Sequence, residues 1–195
     1  MIEVNSEILS KYKFIDLFAG IGGFHIALSS FGAKCVFASE WDKYASETYE
    51  DNFGFKPDGD ITIIDEKQIP KHDILCGGFP CQAFSISGKQ KGFDDIRGTL
   101  FFDIARIVNH HKPKVLFLEN VKNLAKHDDG RTLSAIIETL ENLNYRVFTK
   151  VLNSSNFGLP QNRERIYIVA FNADINSEKF SFPIPSNEST CVEDI

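Results

Sequence analysis

The chain has 195 residues, 43% of them hydrophobic and 25% charged, enough to bury a sizeable core as one soluble domain, which excludes collagen-like, disulfide-scaffold and disordered classes. Its formal charge of −6 is the wrong sign for a module that holds nucleic acid by surface charge alone, so any contact with DNA or RNA is local or supplied by another surface. Phe dominates the aromatic residues, 18 against 5 Tyr and 1 Trp, and falls mostly inside apolar runs, the pattern of core packing rather than of a base-stacking platform.

Short apolar runs alternate with helix-period segments from Phe14 to Phe171, which predicts an α/β fold: a doubly wound, mostly parallel sheet with helices on its faces. Strands are expected at 13–18, 34–39, 73–76, 115–119, 146–152 and 165–171. Three stripes at i, i+3, i+4, i+7 mark helices: Phe24, Ala27, Leu28, Phe31; then Phe101, Ile104, Ala105, Val108; then Leu133, Ile136, Ile137, Leu140. A weaker stripe suggests a further helix over 42–52. The stretch 77–98 is glycine-rich, carries Pro80, Lys89, Lys91 and Arg97, and has no apolar period, so it reads as a functional loop or lid. After Phe171 the pattern dissolves into polar residues and then Phe-Pro-Ile-Pro, which divides the chain into a domain over 1–180 and a linker over 181–195.

The cysteines Cys35, Cys76, Cys81 and Cys191 form no pair at zinc-site spacing, so free thiols are expected and no metal site. No leader-like segment opens the chain and no apolar run approaches bilayer length, so a cytoplasmic location without membrane contact is expected.

Phe14-Ile-Asp-Leu-Phe-Ala-Gly-Ile-Gly-Gly-Phe24 is a strand that breaks into glycines and enters a helix. Gly20, Gly22 and Gly23 permit close approach of a ligand to the backbone. Glu40 ends the second strand twenty residues after Gly20, where a doubly wound nucleotide-binding fold places the acid that accepts from ribose hydroxyls. The third glycine of a dinucleotide fingerprint is His25 here, so a ligand with ribose and adenine but no phosphate fits better than a pyrophosphate cofactor. Trp41 either stacks on adenine or anchors the core. Asp60, in Gly59-Asp-Ile-Thr, either meets the adenine amino group or is a solvated acid, and the same alternative holds for Glu40.

In Asp73-Ile-Leu-Cys-Gly-Gly-Phe-Pro-Cys-Gln82, Cys76 lies within the strand and reads as a small buried hydrophobe. Cys81 lies beyond the apolar run at the mouth of the sheet, with Lys89 and Lys91 nearby, a setting that lowers a thiol pKa. Glu119 follows four apolar strand positions and emerges at the same sheet edge, as a reactive or as a capping acid. Arg163 and Arg165, at i and i+2 before the last strand, share one face suited to phosphate or carboxylate.

Six motifs stand together in order: Phe18-Ala-Gly-Ile-Gly-Gly-Phe24, Glu40-Trp41, Gly59-Asp60-Ile61, Gly78-Phe-Pro-Cys81-Gln82, Glu119-Asn120-Val121 and Gln161-Asn-Arg163-Glu-Arg165. In this order and spacing the chain resembles bacterial DNA (cytosine-5) methyltransferases, from about residue 13 to its end. The resemblance implies a Rossmann-like fold and S-adenosyl-L-methionine as cofactor, with Glu40 on the ribose, Trp41 on the adenine face and Asp60 with Ile61 at the adenine rim. It places the methionine end at Ala19, Gly20, Gly22 and Gly23, with Phe18, Gly78 and Pro80 nearby. Cys81 would attack C6 of a flipped cytosine, and Glu119, with a raised pKa, would hydrogen-bond N3. Arg163 and Arg165 would order Glu119 and the nucleotide, and Gln82, Ser85, Ser87, Lys89 and Arg97 would grip double-stranded DNA.

The resemblance further implies a target-recognition domain and returning C-terminal motifs that this sequence lacks. A second polypeptide supplying them, a truncated product, and a non-catalytic cofactor- or partner-binding module are the competing expectations. An RNA cytosine-5 methyltransferase is a lesser alternative, and similarity suggests a GCGC-like DNA target.

Overall fold

The computed structural model describes residues 7–80 and 100–186. Six strands form one sheet: β1 (Lys13–Leu17), β2 (Lys34–Ser39), β3 (Ile74–Gly78), β4 (Val115–Val121), β5 (Tyr145–Asn153) and β6 (Glu164–Asn172), in the order β2-β1-β3-β4-β6-β5. Each overlaps a strand expected from the apolar runs. β1 pairs in parallel with β2 and β3, and β3 with β4, whereas β6 runs antiparallel to both β4 and β5. About ten residues join β5 to β6, too few for the crossover that a parallel neighbour requires.

Helices α1 (Gly23–Ser29), α2 (Lys43–Phe53), α3 (Leu100–His111) and α4 (Arg131–Asn142) fill the faces. Phe101, Ile104, Ile107 and Val108 of α3 and Ile136 and Leu140 of α4 pack with Ile15, Leu17, Leu116, Leu118, Ile166 and Ile168 into the main core. The strand residues of that set alternate along β1, β4 and β6, as one buried face of a sheet demands. On the opposite face Phe14, Leu28, Ile74 and Cys76 form a second cluster, and Ala19, Ala38 and Tyr49 a third, against Phe53 and Phe55.

Helix α2 is stronger than its stripe, because Asp42 caps it by accepting from the Ala45 amide at 2.8 Å and Gly54 ends it at φ 74°. Helix α1 is shorter than its stripe: of its residues Leu28 is buried, and Phe31 lies past the last turn. Next to Leu28 of α1, Phe117, Tyr167, Val169 and Phe171 line an apolar groove of about 530 Å³. Phe180 lies along it, its ring 5.0 Å from Phe148 and 5.1 Å from Phe171. Among the described residues no helix is long and apolar enough to cross a membrane.

A carboxyl side chain is buried within this arrangement. Asp16 of β1 is fully inaccessible, and neither carboxyl oxygen has a hydrogen-bond partner among the described residues. Burial pushes its pKa to about 8, opposed by the nearby His25 backbone amide and reinforced by the Glu40 charge. A carboxyl raised from 3.8 in this way contributes its full stability below that value and loses it as pH rises through about 8. In denaturant titrations, therefore, the Asp16→Asn variant is expected to gain on the wild type by a few kcal/mol, roughly, between acid and mildly alkaline pH. Two stability curves that stay parallel across that range would refute the assignment.

Candidate active site

The exits of β1, β2, β3 and β4 lie at one edge of the sheet, where the order reverses around β1 and a doubly wound fold opens its ligand crevice. After β1 the backbone turns through positive φ at Phe18 (54°), Gly20 (55°) and Gly22 (95°). The Gly20 amide donates to Glu40 Oε2 at 2.8 Å, and the Asp42 amide donates to Glu40 Oε1 at 2.8 Å. The acid at the end of β2 thus fastens the glycine loop to the start of α2.

Gly22 is required by packing as well as by its φ, since a Cβ there would stand 2.0 Å from Cε2 of Phe53. That ring is stacked on His25 at 3.8 Å. His25 Nδ1 lies 2.7 Å from the Tyr49 hydroxyl, and burial lowers the imidazole pKa. The residue at the third glycine position is therefore a packing and hydrogen-bonding partner of α2.

A cavity of about 480 Å³ opens beside this loop. Of the residues expected around a cofactor, Phe18, Glu40, Trp41, Asp60, Ile61, Gly78 and Pro80 line it, whereas Ala19, Gly20, Gly22 and Gly23 do not. Trp41 is 81% exposed, which corrects the core-anchor alternative and leaves its indole free as a stacking surface. The segment carrying Asp60 is brought in by a short parallel bridge between Ser39 and Asp58, with the Glu40 amide donating to Asp58 O at 2.8 Å. Asp60 Oδ1 accepts from the Thr62 amide at 2.9 Å, which shapes the 3₁₀ turn Ile61–Ile63.

Gly59, part of the Gly59-Asp60-Ile61 motif, also lines the cavity, as do Ser39, Thr62 and Leu100, which sequence reasoning missed. Leu100 sits at the start of an amphipathic helix, where nothing in the pattern sets it apart. Ser39 Oγ is buried and has no hydrogen-bond partner among the described residues. Among the described lining residues there is no Lys or Arg, and these walls offer acceptors and the hydroxyls of Ser39 and Thr62.

On the far side of β3, Gly78 pairs with Glu119 of β4, and Glu119 Oε2 would lie 3.6 Å from a Cβ at Gly78. Arg165 Nε holds Glu119 Oε1 at 2.7 Å, with an Arg163 guanidinium nitrogen 3.9 Å from the same oxygen. The antiparallel pairing of β6 with β4 sets this up by placing Arg165 opposite Val121. Asn120, next to Glu119 in the same motif, is 2% exposed and donates from Nδ2 to Phe79 O at 2.8 Å, fixing the strand exit that leads through Pro80. Cys81, Gln82, Ser85, Ser87, Lys89 and Arg97 lie outside the described residues, as does Cys191. Cys76 is buried as expected, and burial raises its thiol pKa well above the ordinary range.

A family model of C-5 cytosine-specific DNA methylases matches residues 12–195. The chain belongs to this family. Over all of its 195 residues the methylase domain is 60% identical to the type II methyltransferase M.HhaI of Haemophilus parahaemolyticus, and over 197 aligned residues 56% identical to M.HpaII of Haemophilus parainfluenzae. It spans 60% and 55% of the lengths of those relatives. Among solved structures it resembles Spodoptera frugiperda DNMT2, with a TM-score of 0.73 at 24% identity, covering 92% of this chain and 56% of the other. The S. pombe Dnmt2 methyltransferase matches with a TM-score of 0.69 at 24% identity, covering 89% and 53%. These two likenesses carry the Rossmann-like methyltransferase fold. The family is S-adenosylmethionine-dependent, and the acceptors and hydroxyls that line the cavity fit that group.

The two kinds of glycine in the methylase loop are separable. Gly22→Ala is expected to cost about 2 to 4 kcal/mol in calorimetric unfolding, from the forced φ and the Phe53 collision together. Gly23→Ala, in the first turn of α1 with nothing within 4 Å of the new Cβ, is expected to stay near the wild type. Equal losses in both variants would contradict this reading.

Proposed function

We propose that this domain transfers a methyl group from S-adenosylmethionine to C5 of a cytosine flipped out of double-stranded DNA, in a restriction-modification setting. The observation that carries the proposal is the placement of two half-sites on either side of Gly78. The acceptor-lined cavity reaches Pro80, and the Glu119–Arg165 pair stands opposite Gly78 on β4. Cys81, the next residue after Pro80, follows the strand exit between them.

S-adenosylmethionine supplies an electrophilic methyl group when bound. On this reading Glu40, Ser39 and Asp60 accept from or donate to the ribose and adenine, and Trp41 offers its face to the base. The Cys81 thiolate adds to C6 of the cytosine, and the displaced ring electrons make C5 nucleophilic. Glu119 in its protonated form, oriented by Arg165 and with Oε2 turned toward Gly78, donates to N3 where negative charge builds. After C5 takes the methyl group, its proton leaves to a base and the returning electrons expel Cys81, restoring the aromatic ring and the thiolate.

Residues 1–180 are proposed as the catalytic and cofactor domain and 181–195 as the start of a linker. A target-recognition segment and C-terminal motifs, joined to the chain or carried by a second polypeptide, complete the enzyme. The groove of Phe117, Tyr167 and Val169 supports this, as an apolar sheet face that further chain would cover. A cytoplasmic location accords with contact with DNA.

Two measurements test the proposal. With labelled S-adenosylmethionine and a GCGC-containing duplex, methyl transfer is expected when the C-terminal portion of a full-length relative is added as a separate fragment. Transfer by the chain alone overturns the dependence on that fragment, and absence of transfer in both arms overturns the reaction. In the complemented enzyme Cys81→Ser is expected to lose about a thousandfold or more of the transfer rate while cofactor affinity changes by less than roughly twofold. A serine variant turning over near the wild-type rate removes Cys81 from the chemistry.

A further inference from the structure

Arg106, on α3, divides its guanidinium among three partners. Nε donates to Asp103 Oδ1 at 2.9 Å within the same helix, and Nη1 donates to Glu66 Oε2 at 2.9 Å in the 3₁₀ turn Glu66–Gln68. Nη2 donates to the carbonyl of Ile61. The last two partners lie 40 and 45 residues earlier in the chain. Five residues on, His111 Nε2 lies 2.8 Å from Glu66 O, so α3 holds the 61–68 stretch at two points. The Arg106 side chain is only 28% exposed, a setting in which such charge-assisted bonds are strong.

Both elements that this clamp joins contribute to the cavity wall. Ile61 lines it with Asp60 and Thr62, and Leu100 lines it from the first turn of α3. The Ile61 side chain is 2% exposed and locked in the core, so the turn is fixed on the inside by packing. Among the described residues its carbonyl otherwise accepts only the Ile64 amide, at 3.3 Å. A planar fork with several N–H donors reaches three acceptors at fixed angles, which an ammonium on a flexible stem does not.

We propose that Arg106 is a positioning residue for base recognition: by holding the Ile61 carbonyl it sets the distance between the Asp60–Thr62 turn and α3 across which the edge of the adenine is read. The inference rests on the adenosine reading of the cavity given above. It goes further in assigning the selectivity for adenine to a side chain that lines no part of the cavity.

The test compares the affinities of S-adenosylhomocysteine and S-inosylhomocysteine, by calorimetry, for the full chain with the complementing fragment present. The inosine form replaces the adenine amino group by a carbonyl. The wild type is expected to prefer the adenosyl form by about tenfold or more, and Arg106→Ala to reduce that preference to about threefold or less. Arg106→Lys is expected to fall between them, and it decides the matter by the same ratio where the alanine variant does not fold. Asp60→Ala is expected to lose most of its effect in the Arg106→Ala background, whereas Glu40→Gln, on the ribose side, keeps its effect. A merely structural role lowers both affinities equally and leaves the ratio unchanged, and that outcome overturns the proposal. A wild type that binds neither nucleoside, or both equally, overturns the cavity reading itself before any variant is compared, and the role of Arg106 with it.

Discussion

The Glu40 carboxylate accepts the Gly20 amide on one oxygen and the Asp42 amide on the other, and through those two bonds three elements meet. The loop after β1, the exit of β2 and the start of α2 are held at fixed separation by one side chain. The geometry is not free: Phe18, which is not glycine, adopts φ 54°, at a cost of roughly 1 to 2 kcal/mol. A hydrogen bond from a backbone amide to a charged acceptor contributes roughly 1.5 to 3 kcal/mol, enough to offset that strain. Each carboxylate oxygen retains a lone pair, so the group that builds the loop is still able to accept from a ligand.

Most of the architecture was legible because burial writes a period into the sequence. The alternation of β4, with Leu116 and Leu118 inward, and the stripe of α3 are direct records of which face meets the core. Strand direction leaves no such record. The reversal of β6 follows from the shortness of its connection to β5, information that lies in loop length rather than in residue type. Helix α2 shows the opposite case: a weak apolar stripe, because its buried face is Ser46 and Tyr49, yet well-placed termini in Asp42 and Gly54.

The candidate site divides in the same way. Glu40, Asp60 and Glu119 stand at strand ends or turns, where an acid after an apolar run is conspicuous. Ser39, Leu100 and Arg106 were hidden, since each belongs to a strand or helix whose pattern already accounts for a residue of its kind. Arg106 looks like an ordinary polar position on an amphipathic helix until the fold brings Glu66 and Ile61 beside it. The net negative charge is also clearer in the structure. Glu40 and Asp60 line the cavity on one side of β3, while on the other Arg163 and Arg165 gather around Glu119.

The collision that any side chain at Gly22 would make with Phe53 bears on how such glycine motifs are interpreted. That glycine answers to the interior of the protein, to an aromatic stack of His25, Phe53 and Tyr49, and its substitution would be felt before any ligand arrived. A descendant of this fold that had abandoned methyl transfer would be under the same pressure to keep it. Retention of Gly22 is thus a signature of ancestry and foldedness, and the residues that testify to surviving chemistry are those with no structural duty of their own, such as the exposed indole of Trp41.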